Sequence, residues 1–315
     1  MIFTCIVLLF FTYVFSNLIF FVIIIEQNLL RRMVMDRNKT VALMYDFDGT
    51  LCPGFMQEYY LISKLNLSNE DFWSQCNIFG TKHNMDNILA YMYCVLHYSK
   101  MKNIPISYKG FLEQGKKITF FEGVETWFKR INEYGAKLGL NIEHYVISSG
   151  QKEIIQGSKI AKNFKRIFAC SFAYNEEGNA FWPNQVVNYT TKTQYIFRIK
   201  KNALDNLYDQ HAVNELVTDK NLLLPYDRMI YLGDGFTDIP CMKVIKDKGG
   251  NSICVYDPNK ERSLNAAKKI YADDRVNFYA PANYSEGSEL ESLLKHILDK
   301  IAASVALGKF NEKED

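Results

Sequence analysis

Three polar clusters in the sequence carry residue types that can do chemistry together. They are Asp46/Asp48 in VALMYDFDGTLCPG, Ser148/Ser149 in IEHYVISSG and Asp234/Asp238 in GDGFTD. Two carboxylates that lie two residues apart repel each other, so they need a cation or a retained proton to coexist in a buried place. Each cluster directly follows an apolar run, and these runs decide whether the clusters meet.

The apolar runs predict buried strands of a parallel sheet. Residues 41–46 are apolar on both faces, as a central parallel strand requires, and 142–147 and 227–232 follow the same pattern. Further strands are expected at 252–256 and 276–279, with helices between them, which predicts an α/β fold with a doubly wound parallel sheet. Ligands bind beyond the carboxyl ends of such strands, so we expect the three clusters to converge there.

A convergence of four aspartates indicates a metal ion. Carboxylates gathered at one point are unstable unless a cation offsets their charge. Hard oxygen ligands favour magnesium over zinc. The clusters therefore predict Mg²⁺ as the cofactor.

The three motifs, in this order and each at a strand end, resemble those of the haloacid dehalogenase (HAD) superfamily of phosphohydrolases, and the resemblance covers about 35–300. It implies a HAD-like core at 35–54 and 120–306 and an α-helical cap at 55–119 that closes over the site and selects substrates. A charged tail is expected at 307–315.

The resemblance also implies roles for the aspartates. Asp46 would attack phosphorus as the nucleophile and form an aspartyl-phosphate. Asp48 would protonate the leaving group and then take a proton from water. Asp46, the backbone carbonyl of Asp48 and Asp234 would hold the metal, with Asp238 close by or behind them. Dehalogenases of the superfamily lack the second aspartate, so phosphoryl chemistry is favoured.

Further residues would bind the phosphoryl group. Ser148, with Ser149 as its rival, would donate a hydrogen bond to it, and Thr50 lies in the turn that leaves the nucleophile strand. A helix expected to start near Gly150 would add amide donors. The superfamily also needs a lysine, for which Lys192 is favoured because it begins a helix expected over 191–216 after a hairpin. Lys159 and Lys200 are its rivals.

The sequence thus predicts a magnesium-dependent phosphatase that acts on a small phosphate ester. The alternatives are a phosphotransferase of the same superfamily and a non-catalytic binding protein on the same core. Gln57 and Glu58 follow the nucleophile closely and could face the cleft, but the substrate and the oligomeric state are not predicted. The formal net charge is +2 with acids and bases mixed throughout, which excludes a nucleic-acid partner.

The hydrophobic N-terminus allows two interpretations. Residues 2–25 carry no charge, and as a helix ~36 Å long they would span a bilayer, with Arg31 and Arg32 keeping the remainder in the cytoplasm. Alternatively, 1–34 are a misassigned start and the protein begins at Met35. The seven irregularly spaced cysteines indicate reduced thiols and a cytoplasmic location, with a membrane partner only if 2–25 are retained.

Overall fold

The fold is built around one seven-stranded sheet. The computed structural model describes residues 39–205, 207, 209–218 and 223–311. The strands are β1 (Thr40–Tyr45), β2 (Asn141–Gln151), β3 (Arg166–Tyr174), β4 (Ala180–Gln185), β5 (Met229–Gly233), β6 (Asn251–Tyr256) and β7 (Phe278–Pro281). Their order across the sheet is β4-β3-β2-β1-β5-β6-β7. All neighbours are parallel except β3 and β4, which form an antiparallel hairpin.

Helices connect the parallel strands. They are α1 (Leu61–Lys64), α2 (Asn69–His83), α3 (Asn87–Met101), α4 (Tyr108–Gly115), α5 (Val124–Lys137), α6 (Lys152–Gly157), α7 (Lys192–Lys201), α8 (His211–Asn214), α9 (Ile239–Asp247), α10 (Glu261–Ala272) and α11 (Glu289–Asn311). A 3₁₀ turn at Met56–Tyr59 precedes α1. We call residues 56–115 the helical insert, since they separate β1 from α5, which packs against β2.

The core forms where the sequence is apolar on both faces of a strand. Every residue of β1 and β5 is buried, as expected for central strands covered by helices on both sides. Trp127 of α5 is the largest fully buried side chain in the described part of the chain. Six cysteines, all of those described, are free and buried, where they pack as small apolar residues.

The α/β fold predicted from the strand and helix pattern is confirmed, and the differences lie at element ends. The helix expected over 191–216 ends at Lys201, because Asn202 adopts a left-handed conformation with φ 56° and terminates it. The final helix runs past its predicted end at 306 to Asn311. Strand β2 is longer than predicted and includes Ser148.

The hydrophobic N-terminal segment, 1–34, lies outside the described residues. Within the residues that the structure does describe, no helix is both long and apolar enough to cross a membrane. Residues 312–315 of the expected charged tail also lie outside the described part.

Candidate active site

The three polar clusters meet at the centre of the sheet. Strand β1 lies between β2 and β5, with Tyr45 opposite Val146 on one side and Leu232 on the other. The Asp46 amide continues this pairing and donates to the Leu232 carbonyl at 2.9 Å. Strands β2, β3 and β4 lie on one side of β1, and strands β5, β6 and β7 lie on the other. The strand order therefore reverses at β1, and parallel α/β sheets leave a crevice for ligands at such a switch point.

A buried lysine joins two of the aspartates. Lys192, the first residue of α7, is fully buried. Its Nζ donates to Asp238 Oδ1 at 2.7 Å and lies 3.1 Å from Asp46 Oδ1. The Tyr231 hydroxyl also donates to Asp238 Oδ1, at 2.7 Å, and the Gly235 amide donates to Asp238 Oδ2 at 3.3 Å. Both carboxylate oxygens of Asp238 are therefore occupied by protein donors.

Asp234 is placed differently from Asp238. Side-chain oxygens of Asp46, Asp234 and Asp238 all lie within 4.8 Å of one another. The Asp234 carboxylate lies against Gly49, where a Cβ atom would stand 2.2 Å from Asp234 Oδ2. No residue in the described part of the chain donates a hydrogen bond to this carboxylate. Together with Asp46 it offers hard oxygen atoms, a donor set that suits a divalent cation such as Mg²⁺.

Asp48 contacts a different set of residues. Its Oδ1 accepts a hydrogen bond from the Met56 amide at 3.0 Å and another from the Cys52 thiol at 3.5 Å. A Cβ atom on Gly150 would lie 3.2 Å from Asp48 Oδ2, so the end of β2 faces this oxygen. The second aspartate and the serine cluster are thus neighbours.

The serine cluster lies in an irregular stretch of β2 and not at a helix start. The pairing of β2 with β3 shifts register between Ile147 and Gln151, and such bulges redirect side chains beside functional sites. The Ser148 hydroxyl accepts from the Gly150 amide at 3.0 Å. Helix α6 begins at Lys152, with Gln151 as its N-cap residue, so a helix does start near Gly150, but Gly150 itself belongs to β2.

Two buried hydroxyl groups near the polar clusters lack partners. Within the described residues, neither Thr50 Oγ1 nor Ser149 Oγ makes a hydrogen bond. Buried hydroxyls are normally satisfied, and unsatisfied ones call for an explanation such as an absent ligand or water.

Burial and neighbouring charges raise the pKa values of three aspartates, Asp46, Asp48 and Asp234. Burial raises the pKa of Asp46 to about 6, although the Lys192 charge opposes the rise. Burial, together with the Asp46 charge, holds the pKa of Asp48 well above its ordinary value. Burial and the charges of Asp238 and Asp46 do the same for Asp234. Burial acts to lower the pKa of Lys192, but the Asp238 and Asp46 charges outweigh it, so the lysine stays protonated.

The rival lysines lie in other surroundings. Lys159 pairs with Glu125 at the surface, and Lys200 donates to the Leu224 carbonyl. The sequence did not point to Tyr231, which fixes Asp238. Its only signal is a hydroxyl-bearing side chain within an otherwise apolar strand.

Comparison with solved structures finds proteins with a similar fold. The chain superposes on phosphoserine phosphatase in apo form with a TM-score of 0.50 and 16% identity, covering 82% of this chain and 99% of that one. A probable phosphoserine phosphatase from Vibrio cholerae gives a TM-score of 0.50 and 10% identity, covering 87% of this chain and 68% of that one. The chain shares the fold of these phosphatases, in agreement with the HAD-like fold that the three motifs predicted.

No protein-family model matches the sequence. An uncharacterized protein of Borreliella burgdorferi (strain ATCC 35210 / DSM 4680 / CIP 102532 / B31) is 30% identical over 305 residues, covering 86% of this chain and 99% of the relative. The chain belongs to the same family as this Borreliella protein.

Proposed function

We propose that this protein is a magnesium-dependent phosphohydrolase that cleaves small phosphate esters through an aspartyl-phosphate on Asp46. The observation that carries the proposal is the arrangement around this residue at the sheet switch point. Asp46 lies 3.1 Å from the buried Lys192, and one of its oxygens lies within 4.8 Å of a carboxylate oxygen of Asp234. A non-catalytic binding protein would have no need to bury such a set of charges, because doing so is costly.

Asp46 and Asp48 divide the chemistry between them. In the first step an Asp46 oxygen bonds to phosphorus while the ester P–O bond breaks, and Asp48 gives its proton to the leaving oxygen. In the second step water bonds to phosphorus, the aspartyl–phosphorus bond breaks, and Asp48 takes back a proton. The Met56 amide engages Asp48 Oδ1, so the proton resides on Oδ2, which faces Gly150.

The remaining polar groups would hold the phosphoryl group and the metal. Lys192 would offset its negative charge, and the hydroxyl groups of Ser148, Ser149 and Thr50 are the available donors, with the Gly150 amide beside them. Asp46, the Asp48 carbonyl and Asp234 would hold Mg²⁺, and Asp238 would hold Lys192 in place. When bound, the ion would screen the repulsion between Asp46 and an incoming phosphate dianion.

Hydrolysis of an aryl phosphate by the purified protein tests this function. We expect turnover with Mg²⁺ and none with EDTA. Asp46→Asn should abolish turnover. Asp273→Asn, a change at an exposed carboxylate that pairs with Lys269, should not. Asp48→Asn should slow the second step, so intact-mass measurement should detect a chain heavier by one phosphoryl group. Equal inactivity of wild type and Asp46→Asn across a broad phosphate panel would refute the proposal.

A further inference from the structure

A third unpartnered polar atom belongs to Gln57, which follows Met56 in the chain, and the Met56 amide contacts the proposed general acid. Gln57 lies in the 3₁₀ turn of the helical insert and is 3% exposed. Its neighbour Met56 donates the amide hydrogen bond that holds Asp48, so Gln57 is tied to the leaving-group side of the site. Within the described part of the chain, Gln57 Oε1 has no hydrogen-bond partner.

Contacts of Tyr91 fix which way the Gln57 amide points. The Tyr91 hydroxyl donates to the Ser149 carbonyl at 3.2 Å and also contacts the Cys170 sulfur. A hydroxyl has one proton, so Tyr91 can only accept a hydrogen bond from the Gln57 side chain that contacts it. The NH₂ group of Gln57 therefore faces Tyr91, and Oε1 is left as an unused buried acceptor.

We infer that Gln57 Oε1 is a specificity determinant that accepts a hydrogen bond from an O–H or N–H group on the leaving alcohol of the substrate. This inference rests on the proposed phosphohydrolase function. A buried carbonyl oxygen that no protein donor satisfies is costly unless a ligand supplies the donor. Because Met56, the preceding residue, holds Asp48 through its amide, we assign that donor to the alcohol side of the ester. The substrates are thus phosphate monoesters whose alcohol carries a hydroxyl or an ammonium group near the ester oxygen.

Three esters that differ in one group test the inference. Ethyl phosphate offers no donor, 2-hydroxyethyl phosphate offers a hydroxyl, and 2-aminoethyl phosphate offers an ammonium group. We expect wild type to favour at least one donor-bearing ester over ethyl phosphate about tenfold in kcat/KM, and the preferred ester identifies the donor. Dividing each variant's preference by that of wild type cancels the intrinsic reactivities of the esters.

The variants separate recognition from folding. Gln57→Leu should remove most of the preference. Gln114→Leu is the matched control, because Gln114 is an equally buried glutamine with an unpartnered Oε1, but on α4, and it should keep the preference. Gln57→Glu retains an acceptor and adds charge, so it should shift the preference toward the ammonium ester. This shift carries the test if Gln57→Leu does not fold.

The outcomes distinguish failure of the inference from failure of the function. Turnover of an aryl phosphate with equal preference among the three esters would overturn the inference alone. The same holds if Gln57→Leu slows all three esters equally, or if Gln57→Glu leaves the ratio of ammonium to hydroxyl ester unchanged. Absence of turnover with every ester, the aryl phosphate included, would overturn the proposed function and this inference together.

Discussion

Replacing Lys192 by methionine should destabilise the protein strongly. Methionine has a similar length and no charge, so the change leaves Asp46 and Asp238 buried without their cation. The two contacts, at 3.1 and 2.7 Å, correspond to attractions of about 5 and 6 kcal/mol at an effective dielectric constant of about 20. Desolvation of the charges offsets part of this, and removing one member of a buried ion pair costs about 3–5 kcal/mol. We expect a loss of that size in the free energy of unfolding.

The loss should depend on pH. Without Lys192, the pKa of Asp46 rises beyond its value of about 6, whereas the unfolded chain keeps an ordinary carboxyl pKa. A raised carboxyl pKa in the folded state stabilises the protein at low pH. This stability is lost as the pH rises from the unfolded-state pKa through the folded-state pKa. The difference between wild type and Lys192→Met should therefore be larger at pH 8 than at pH 6.

Equilibrium urea unfolding in EDTA measures these effects. Lys159→Met is the matched control, since Lys159 pairs with Glu125 at the surface and should contribute less than about 1 kcal/mol. A double-mutant cycle with Asp238→Asn should give a coupling energy of at least about 1 kcal/mol. A loss of stability for Lys192→Met that is no larger than that for Lys159→Met would contradict the prediction, as would simple additivity of Lys192→Met and Asp238→Asn.

Two other predictions follow from the surroundings of Gly49 and His144. Gly49→Ala should lower the free energy of unfolding by about 1–3 kcal/mol more than Gly178→Ala. Both glycines have φ near 75–79°, but only at Gly49 would a Cβ meet Asp234, and equal losses in urea unfolding would contradict this contact. Burial lowers the pKa of His144 from 6.5 to about 3, so its neutral form stabilises the fold above pH 6.5 and this contribution is lost as pH falls toward 3. His144→Gln should lose less stability across that window, by roughly 5 kcal/mol at most, and parallel curves of stability against pH for the two proteins would count against this prediction.

Strand positions follow from the sequence because burial on both faces leaves a local pattern. The run that became β1 is apolar throughout, and no alternation or helical period competes with it. Helix ends are less predictable where tertiary contacts decide them. The residues after Lys201 keep a helical composition, but Asn202 turns the chain and the Ala203 amide bonds back to Arg198. That choice depends on packing that no local pattern encodes.

The candidate site also combines a feature that the sequence predicts with one that it does not. Parallel strands share one edge, so the sequence could predict that Asp46, Asp234 and Asp238 converge. Spacing alone could not separate the last two, because both follow the same strand within one short motif, and only the family resemblance favoured Asp234 as the metal ligand. Their difference comes from Tyr231 and Lys192, which occupy Asp238 and leave the Asp234 carboxylate open. The difference between the two aspartates thus depends on Lys192, which is remote from them in sequence, as well as on the nearby Tyr231, and the same contacts anchor Lys192 to Asp238.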